Sequence, residues 1–489
     1  MNITAIVRAR VNAALNAALR AGLREVPGAA RLYRPALGAL ALCAAPGLAA
    51  AADDPAHRSL AAGYKAAFTC SAHFNAGRSL DEIAGDELNR IYPDYRDALA
   101  SLPDAVVDKE TATVSVAFAD GFPPRIAQWR PYLGCAQLPS GAGIEAAGVL
   151  PEVRVRQTRE ATPPLPSAQT ADADIDAALA RAFDRETYGA GVDTSAALVV
   201  KDGVILAERY RDGFDRQTPQ RTWSVAKSIA ATVIGAAVHE GIVRVGDPAG
   251  LSAWSAPGDP RAAITMENLL HMSSGLDSTP AGNRTDDVYF GGGRIVDHAL
   301  SRRLVAAPGT RWRYANNDTM IAMRALREAM DDDRAYLRFP FERVLLPIGM
   351  RNTYLETDWN GDFVLSSQVW TTARDLARLG LLYLNDGVWN GRRILPEGWA
   401  GFVAAPAPDQ PGPRRDGTPR PGYGAQFWLF GEADGLPSGT YAAMGNRGQY
   451  LVIVPERNVL IVRRGFDDNG GARFDIARFA ADMLAAIPQ

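Results

Sequence analysis

Two stretches far apart in this 489-residue chain are built alike. Ser195–Tyr210, "SAALVVKDGVILAERY", sets two apolar runs around Asp202-Gly203. Gln449–Gly465, "QYLVIVPERNVLIVRRG", does the same around a short polar turn. Runs rich in Val, Ile and Leu, joined by tight turns, read as β-hairpins. Hairpins make antiparallel neighbours, whereas a doubly wound parallel sheet needs strand–helix–strand units. The fold class expected is therefore α+β, with an antiparallel sheet assembled from both ends of one domain. Between the hairpins the pattern is helical. "SVAKSIAATVIGAAVHEG", from Ser224, is apolar on most faces and reads as a deeply buried helix. "ITMENLLHMSSGL" and "TTARDLARLGLLYLNDGVWNG" read as amphipathic helices ended by glycine, and "ARFDIARFAADMLAAI" as a closing helix. The whole predicts an αβα sandwich with a helical insertion.

The first 51 residues differ from the rest. Arg8, Arg10, Arg20, Arg24, Arg31 and Arg34 meet one acid, Glu25, before the apolar, small-residue stretch "PALGALALCAAPGLAAAADDP". That order is the order of a secretory signal, with cleavage after Ala51 and a periplasmic or secreted product. An organellar transit peptide is the alternative for an Arg-rich, acid-poor leader. Its removal leaves Cys70 and Cys135, and an even count in an exported chain suggests one disulfide, two buried thiols being the alternative. The bridge would staple a small N-terminal unit at 52–150. A polar, Pro-rich linker at 151–173 and a main domain at 174–489 follow.

Several function classes drop out. A net charge of −3 without a basic block argues against nucleic acid or an anionic membrane surface as partner. No 20-residue apolar run exists, so no membrane span is expected in the mature chain. The five histidines show no metal-ligand spacing, and neither a Gly-x-Ser-x-Gly elbow nor a phosphate loop is present. No metal or cofactor is expected.

One short motif stands out against the composition. Lysine occurs only at Lys65, Lys109, Lys201 and Lys227, and Lys227 lies three residues after Ser224 at the head of the apolar helix. Positions three apart share a helix face, so Lys227 can reach Ser224. A serine hydroxyl becomes a useful nucleophile when a base takes its proton, and a buried lysine can be neutral enough to do so. The bland alternative is a capping serine and a surface lysine. Tyr314-Ala315-Asn316 falls in a loop before a helix, where Tyr314 could shuttle a proton and Asn316 could bind a substrate carbonyl or N–H. Tyr383-Leu384-Asn385 has the same spacing but reads as helix core and helix stop. Gly445 and Gly448 precede a strand, where an exposed backbone N–H can receive an oxyanion. Tyr289, beside "FGGGR", is a candidate wall of an apolar acyl pocket.

In these motifs the chain from Thr194 to Gln489 resembles the serine β-lactamase and penicillin-binding-protein group. Within it the closest likeness is to class C-like hydrolases, the esterases and 6-aminohexanoate-dimer hydrolases. Ser224-Val-Ala-Lys227, Tyr314-Ala-Asn316 and Gly445-Asn-Arg-Gly448-Gln449 match its three motifs in order. The resemblance implies a five-stranded antiparallel sheet, a helical domain and a cleft between them. It also implies an acyl-enzyme on Ser224, Lys227 as base or proton holder, Tyr314 as its partner and the N–H of Ser224 and of Asn446 as oxyanion donors. The substrate implied is a small ester or amide; the alternatives are a penicillin-binding protein or weak class C-like β-lactamase, or a binding protein that kept the fold without turnover. Two departures matter. Met444-Gly445-Asn446 lacks the cation that heads the third motif of β-lactamases and transpeptidases, and no Glu-x-x-Leu-Asn follows the serine helix.

Overall fold

The computed structural model describes residues 54–155, 163–170, 172–279, 289–414 and 417–488. The leader expected over 1–51 lies outside the described residues. The chain opens with helices α1 (Pro55–Ala76), α2 (Leu80–Gly85) and α3 (Pro93–Ser101). Strands β1 (Val106–Asp108), β2 (Thr113–Val116), β3 (Arg125–Arg130) and β4 (Gly134–Gln137) form an antiparallel meander under α1. Cys70 of α1 and Cys135 of β4 are disulfide-bonded, with Cα atoms 6.1 Å apart. Helix α2 starts with a reciprocal capping box between Ser79 and Glu82.

Helix α4 (Ala173–Ala180) leads to the hairpin β5 (Thr194–Lys201) and β6 (Val204–Tyr210). Its turn residues Asp202 and Gly203 have φ of 52° and 79°, the left-handed pair a two-residue hairpin loop requires. Strand β7 (Gln220–Arg221) precedes the buried helix α5 (Val225–His239). The helical layer follows as α6 (Met266–Leu270), α7 (Ile295–Leu300), α8 (Asn316–Met330) and α9 (Asp333–Pro340). Strands β8 (Tyr354–Leu355) and β9 (Val369–Thr371), helix α10 (Ala373–Leu384), the small hairpin of β10 (Val388–Trp389) and β11 (Arg392–Arg393), and α11 (Trp399–Ala404) come next. The chain ends in β12 (Gly422–Tyr423), β13 (Trp428–Phe430), β14 (Thr440–Gly445), β15 (Gln449–Val454), β16 (Val459–Gly465) and α12 (Ile476–Ala486).

The main sheet runs β12-β13-β14-β15-β16-β5-β6, antiparallel throughout. Both ends of the domain thus meet in one sheet, where β16 pairs with β5. The sheet has seven strands, not the five expected. The extra pair, β12 and β13, is two and three residues long. Segments that short carry no readable alternation, and register against β14 is what makes them strands.

Residue alternation explains the layers. Leu198, Val200, Leu451, Ile453, Leu460 and Val462 face the core shared with α5 and α10. Ala197, Val199, Val452, Val459 and Ile461 face α4 and α12. A period of two with both faces apolar is the signature of strands buried between two helical layers. Part of the expected linker lies along the sheet edge, where Ile205 exchanges backbone hydrogen bonds with Pro166 and Ala168.

The N-terminal helices and meander share one core with the main domain. Trp223 and Phe290 pack among Tyr64, Phe68, Tyr95 and Val114. Glu356 inserts from the main domain, accepting from Ser71 Oγ at 2.6 Å and Cys135 N at 3.3 Å. Arg130 reaches back to Thr357 Oγ1 at 2.9 Å. Among the described residues no helix is long and apolar enough to cross a membrane.

The Cys70–Cys135 bridge closes a 65-residue separation. Loop-closure entropy alone then makes the bridge worth about 4 kcal/mol. Replacing both cysteines by serine is expected to lower the denaturant midpoint accordingly, read by urea unfolding; an unchanged midpoint would show that the bridge is energetically idle.

Candidate active site

The smaller sheet β7-β9-β8 aims the serine. Gln220 and Arg221 pair with Thr371 and Trp370. Trp223 then turns the chain with φ of 50°, a costly conformation for a residue of that bulk. Its ring is held between Phe68 and Tyr92 of the N-terminal unit, with centroids 5.7 and 6.2 Å away. Ser224 follows as the residue before α5 in helical geometry, and its hydroxyl makes no capping bond. The capping reading is therefore excluded, and Ser224 is half-buried.

Lys227 is 1% exposed, so the surface reading is excluded too. Its Nζ lies 3.3 Å from Ser224 Oγ and donates to Asn316 Oδ1 at 2.7 Å and the Ser366 carbonyl at 2.5 Å. All three partners are neutral. Burial without a compensating anion pulls the amine down to about 7.

The Tyr314 hydroxyl interacts with the Ser224 side chain, and burial pushes it up to about 12. Its ring stacks on Trp428 at 5.6 Å and sits 5.2 Å from Lys227 Nζ. Trp312 adds a third half-buried ring, 6.4 Å from Tyr314 and 6.3 Å from Trp428. Asn316, the first residue of α8, is buried, and its oxygen holds Lys227. Tyr289 is half-buried, and its hydroxyl bonds with Ser366 Oγ at 2.6 Å. It therefore backs the residue whose carbonyl holds Lys227. Tyr383 is buried in α10 against Thr232, away from these residues.

The third motif closes the group. Gly445 ends β14 and lies against the start of α5: a Cβ there would sit 2.2 Å from the Thr222 carbonyl oxygen and 3.1 Å from Ser224 N. Only glycine permits that approach. Asn446, half-buried, follows in the turn to β15. Arg447 is buried and bonded to backbone carbonyls.

Ser224, Lys227, Tyr314, Asn316 and Gly445 are thus brought together, with Asn446 beside them and Tyr289 behind. Two contributors were not legible. Ser366 acts through its carbonyl, which every residue has. Trp428 lies in a strand too short to be read. The arrangement suits proton transfer at a serine hydroxyl beside backbone N–H groups that can receive a developing oxyanion.

An antiparallel sheet between helical layers, with a Ser-x-x-Lys at the head of the central helix and a Tyr-x-Asn facing it, defines a class. The model of the family described as Beta-lactamase matches residues 178–477, and the chain belongs to that family. A 6-aminohexanoate-dimer hydrolase of Paenarthrobacter ureafaciens is 27% identical over 340 residues, covering 64% of this chain and 82% of that protein. Two solved structures share the fold. One, from Bacillus anthracis and bearing the name of a 6-aminohexanoate-dimer hydrolase, has a TM-score of 0.54 at 23% identity, over 68% of this chain and 91% of that one. The other, a penicillin-binding-protein homologue from Caulobacter crescentus, has a TM-score of 0.51 at 14% identity, over 65% and 99%.

Gly445→Ala is expected to push β14 off the first turn of α5. Fluorophosphonate labelling of Ser224 should slow by at least about tenfold while the circular dichroism spectrum is retained. Labelling at the unaltered rate would show that the contact is not tight.

Proposed function

We propose that the protein is a serine hydrolase that cleaves small esters or amides through an acyl-enzyme on Ser224. The observation that carries this reading is the buried Lys227 amine, close to the Ser224 hydroxyl and held by neutral groups alone. With its pKa near 7, an appreciable fraction is neutral at neutral pH and can take the Ser224 proton as Oγ bonds to the substrate carbonyl carbon. The oxyanion is received by the backbone N–H groups of Ser224 and Asn446. Tyr314, protonated at neutral pH, gives its proton to the leaving oxygen or nitrogen and is reprotonated from Lys227. The same pair then activates water for deacylation, which suits a chain without Glu-x-x-Leu-Asn. Asn316 and Ser366 hold the amine in place.

The name of the Paenarthrobacter relative supports small linear amides alongside esters. A β-lactamase or transpeptidase reading is weaker. Met444 heads the third motif without a cation, and the one cation within it, Arg447, is spent on carbonyls. A substrate carboxylate entering the cleft loses hydration without a charged partner there. The disulfide supports an oxidising compartment, the periplasm or the cell exterior.

Ser224→Ala is expected to abolish turnover and fluorophosphonate labelling. Lys227→Arg keeps the charge but cannot release the proton, and should cost on the order of 10²–10⁴ in kcat/KM. Full activity in either variant refutes the mechanism.

The lowered amine fixes the sign of the pH dependence. Protonated Lys227 is inactive as a base, so kcat/KM should rise with pH through about 7. A profile flat between pH 5.5 and pH 8.5 would contradict a lysine base.

Substrate class is tested by p-nitrophenyl butyrate against nitrocefin. A missing charge-assisted hydrogen bond is worth about 1.5–3 kcal/mol, so the ester is expected to lead by roughly 10- to 150-fold in kcat/KM from this cause. Preference for nitrocefin would favour the β-lactamase reading.

A further inference from the structure

The turn that carries Asn446 is fixed from outside the family's matched region of 178–477. Arg447 has φ of 56°, a left-handed conformation that a long side chain rarely adopts, and it is 5% exposed. Its guanidinium donates to five backbone carbonyls. Two belong to the loop after β16, Phe466 at 3.3 Å and Asp467 at 3.2 Å. Three belong to the segment between α2 and α3: Asp86 at 3.0 Å, Glu87 at 3.4 Å and Asn89 at 2.9 Å. These three lie some 360 positions earlier in the chain.

That segment is itself anchored. The Asp86 carboxylate receives Arg78 at 2.6 Å and Arg211 at 2.7 Å. Arg211 also reaches Asp193 at 2.7 Å, where Arg90 joins it. The Arg90 carbonyl accepts from Asn469 N at 3.0 Å. The turn is confined at its other end as well. The Gly448 carbonyl accepts from Arg463 at 2.8 Å, and a Cβ on Gly448 would collide with that guanidinium. Gly445 is pressed on Ser224, as described above. The residue left between these clamps is Asn446.

A planar guanidinium with five N–H donors suits such a cluster of carbonyls, whereas an ammonium has three donors and a shorter reach. The donor and three of its five acceptors sit on different units of the chain, so the contact fixes one against the other.

We propose that Arg447 is a positioning residue through which the Asp86–Asn89 segment of the N-terminal unit sets the Asn446 N–H for the oxyanion. The N-terminal unit is then a working part of the active site. This rests on the reading of Asn446 as an oxyanion donor. Loss of the clamp lets the turn relax from its left-handed geometry and swings that N–H off the carbonyl oxygen. Lys227, Tyr314 and Ser224 are untouched, and so is substrate entry.

Arg447→Lys, and Asp86→Asn as a milder loosening of the same segment, test the proposal in the full chain. Active sites are titrated with a fluorophosphonate, and kcat per titrated site is measured with an ester and the matching thionoester well below each Tm. Sulfur is a poor hydrogen-bond acceptor, so the ester-to-thionoester ratio reports the oxyanion donors. In Arg447→Lys, kcat should fall about 10- to 100-fold with KM within threefold, and the ratio should shrink toward one. Asp86→Asn should move both in the same direction by a smaller factor, and it decides the matter alone if Arg447→Lys does not fold. A lower Tm with kcat per site and ratio unchanged would mean that Arg447 is structural only and would overturn the proposal. A ratio already near one in the unaltered enzyme would instead overturn the oxyanion reading beneath it, leaving the separate Ser224 and Lys227 tests standing.

Discussion

An amine taken out of water with no anion beside it cannot comfortably stay charged. Lys227 is in that position, and the surroundings are arranged to keep it there. The helix that bears it is apolar around its circumference, so Nζ cannot escape to solvent. Its contacts are a serine hydroxyl, an amide oxygen and a backbone carbonyl. Each can accept from an ammonium or an amine, and none supplies the charge that would raise its pKa. A carboxylate in place of Asn316 would make a firm ion pair and a useless base. The identity of that residue is thus set by what it must not be.

The chain separates the tasks of its two basic residue types. Of its four lysines only Lys227 is buried; Lys65, Lys109 and Lys201 reach the surface at least in part. Arginine does the structural work inside. Arg464, fully buried at the end of β16, donates to the carbonyls of Thr371, Gln220 and Arg221 and to Gln449 Oε1. It thereby ties the small sheet that aims Ser224 to the large sheet that carries the third motif. Its neighbour Arg463 points to the other face and pairs with Asp467 at 2.7 Å. Guanidinium keeps its charge in such places because its pKa starts high and its donors spread over several acceptors. Lysine surrenders its proton far more readily, which is a fault in a scaffold and the requirement in a base.

Legibility in the sequence followed the range of the interaction. The hairpin at Asp202-Gly203 and the buried helix after Ser224 are dictated by neighbours in sequence, and both could be read directly. The serine–lysine pair is local as well, so its shared helix face was predictable. The meeting of Ser224 with Tyr314 and Gly445 joins residues far apart in the chain, and only the joint order of three motifs disclosed it. What stayed hidden was carried by backbone atoms. The Ser366 carbonyl, the five carbonyls around Arg447 and the register that makes strands of Gly422–Tyr423 and Trp428–Phe430 leave no mark on residue type. By residue type Arg447 is only a basic side chain inside the third motif. Its partners belong to the N-terminal unit, whose packing against that turn no periodicity reveals.

That packing bears on the chemistry in a second way. Trp223, which fixes the backbone before Ser224, lies in a core built mostly from the N-terminal unit, with Tyr64, Phe68 and Tyr95 around it. Arg221 is sandwiched between Phe68 at 4.1 Å and Trp223 at 4.2 Å, so rings cover the charge just before Trp223 as well. Removing the unit would open the Trp223 side of the turn before Ser224 to water. Water admitted as far as Lys227 would solvate an ammonium there and raise its pKa, and it would equally solvate a carboxylate entering beside it. The same dryness that lowers the Lys227 amine therefore also penalises a charged group brought in beside it, and neither property can be relaxed without the other.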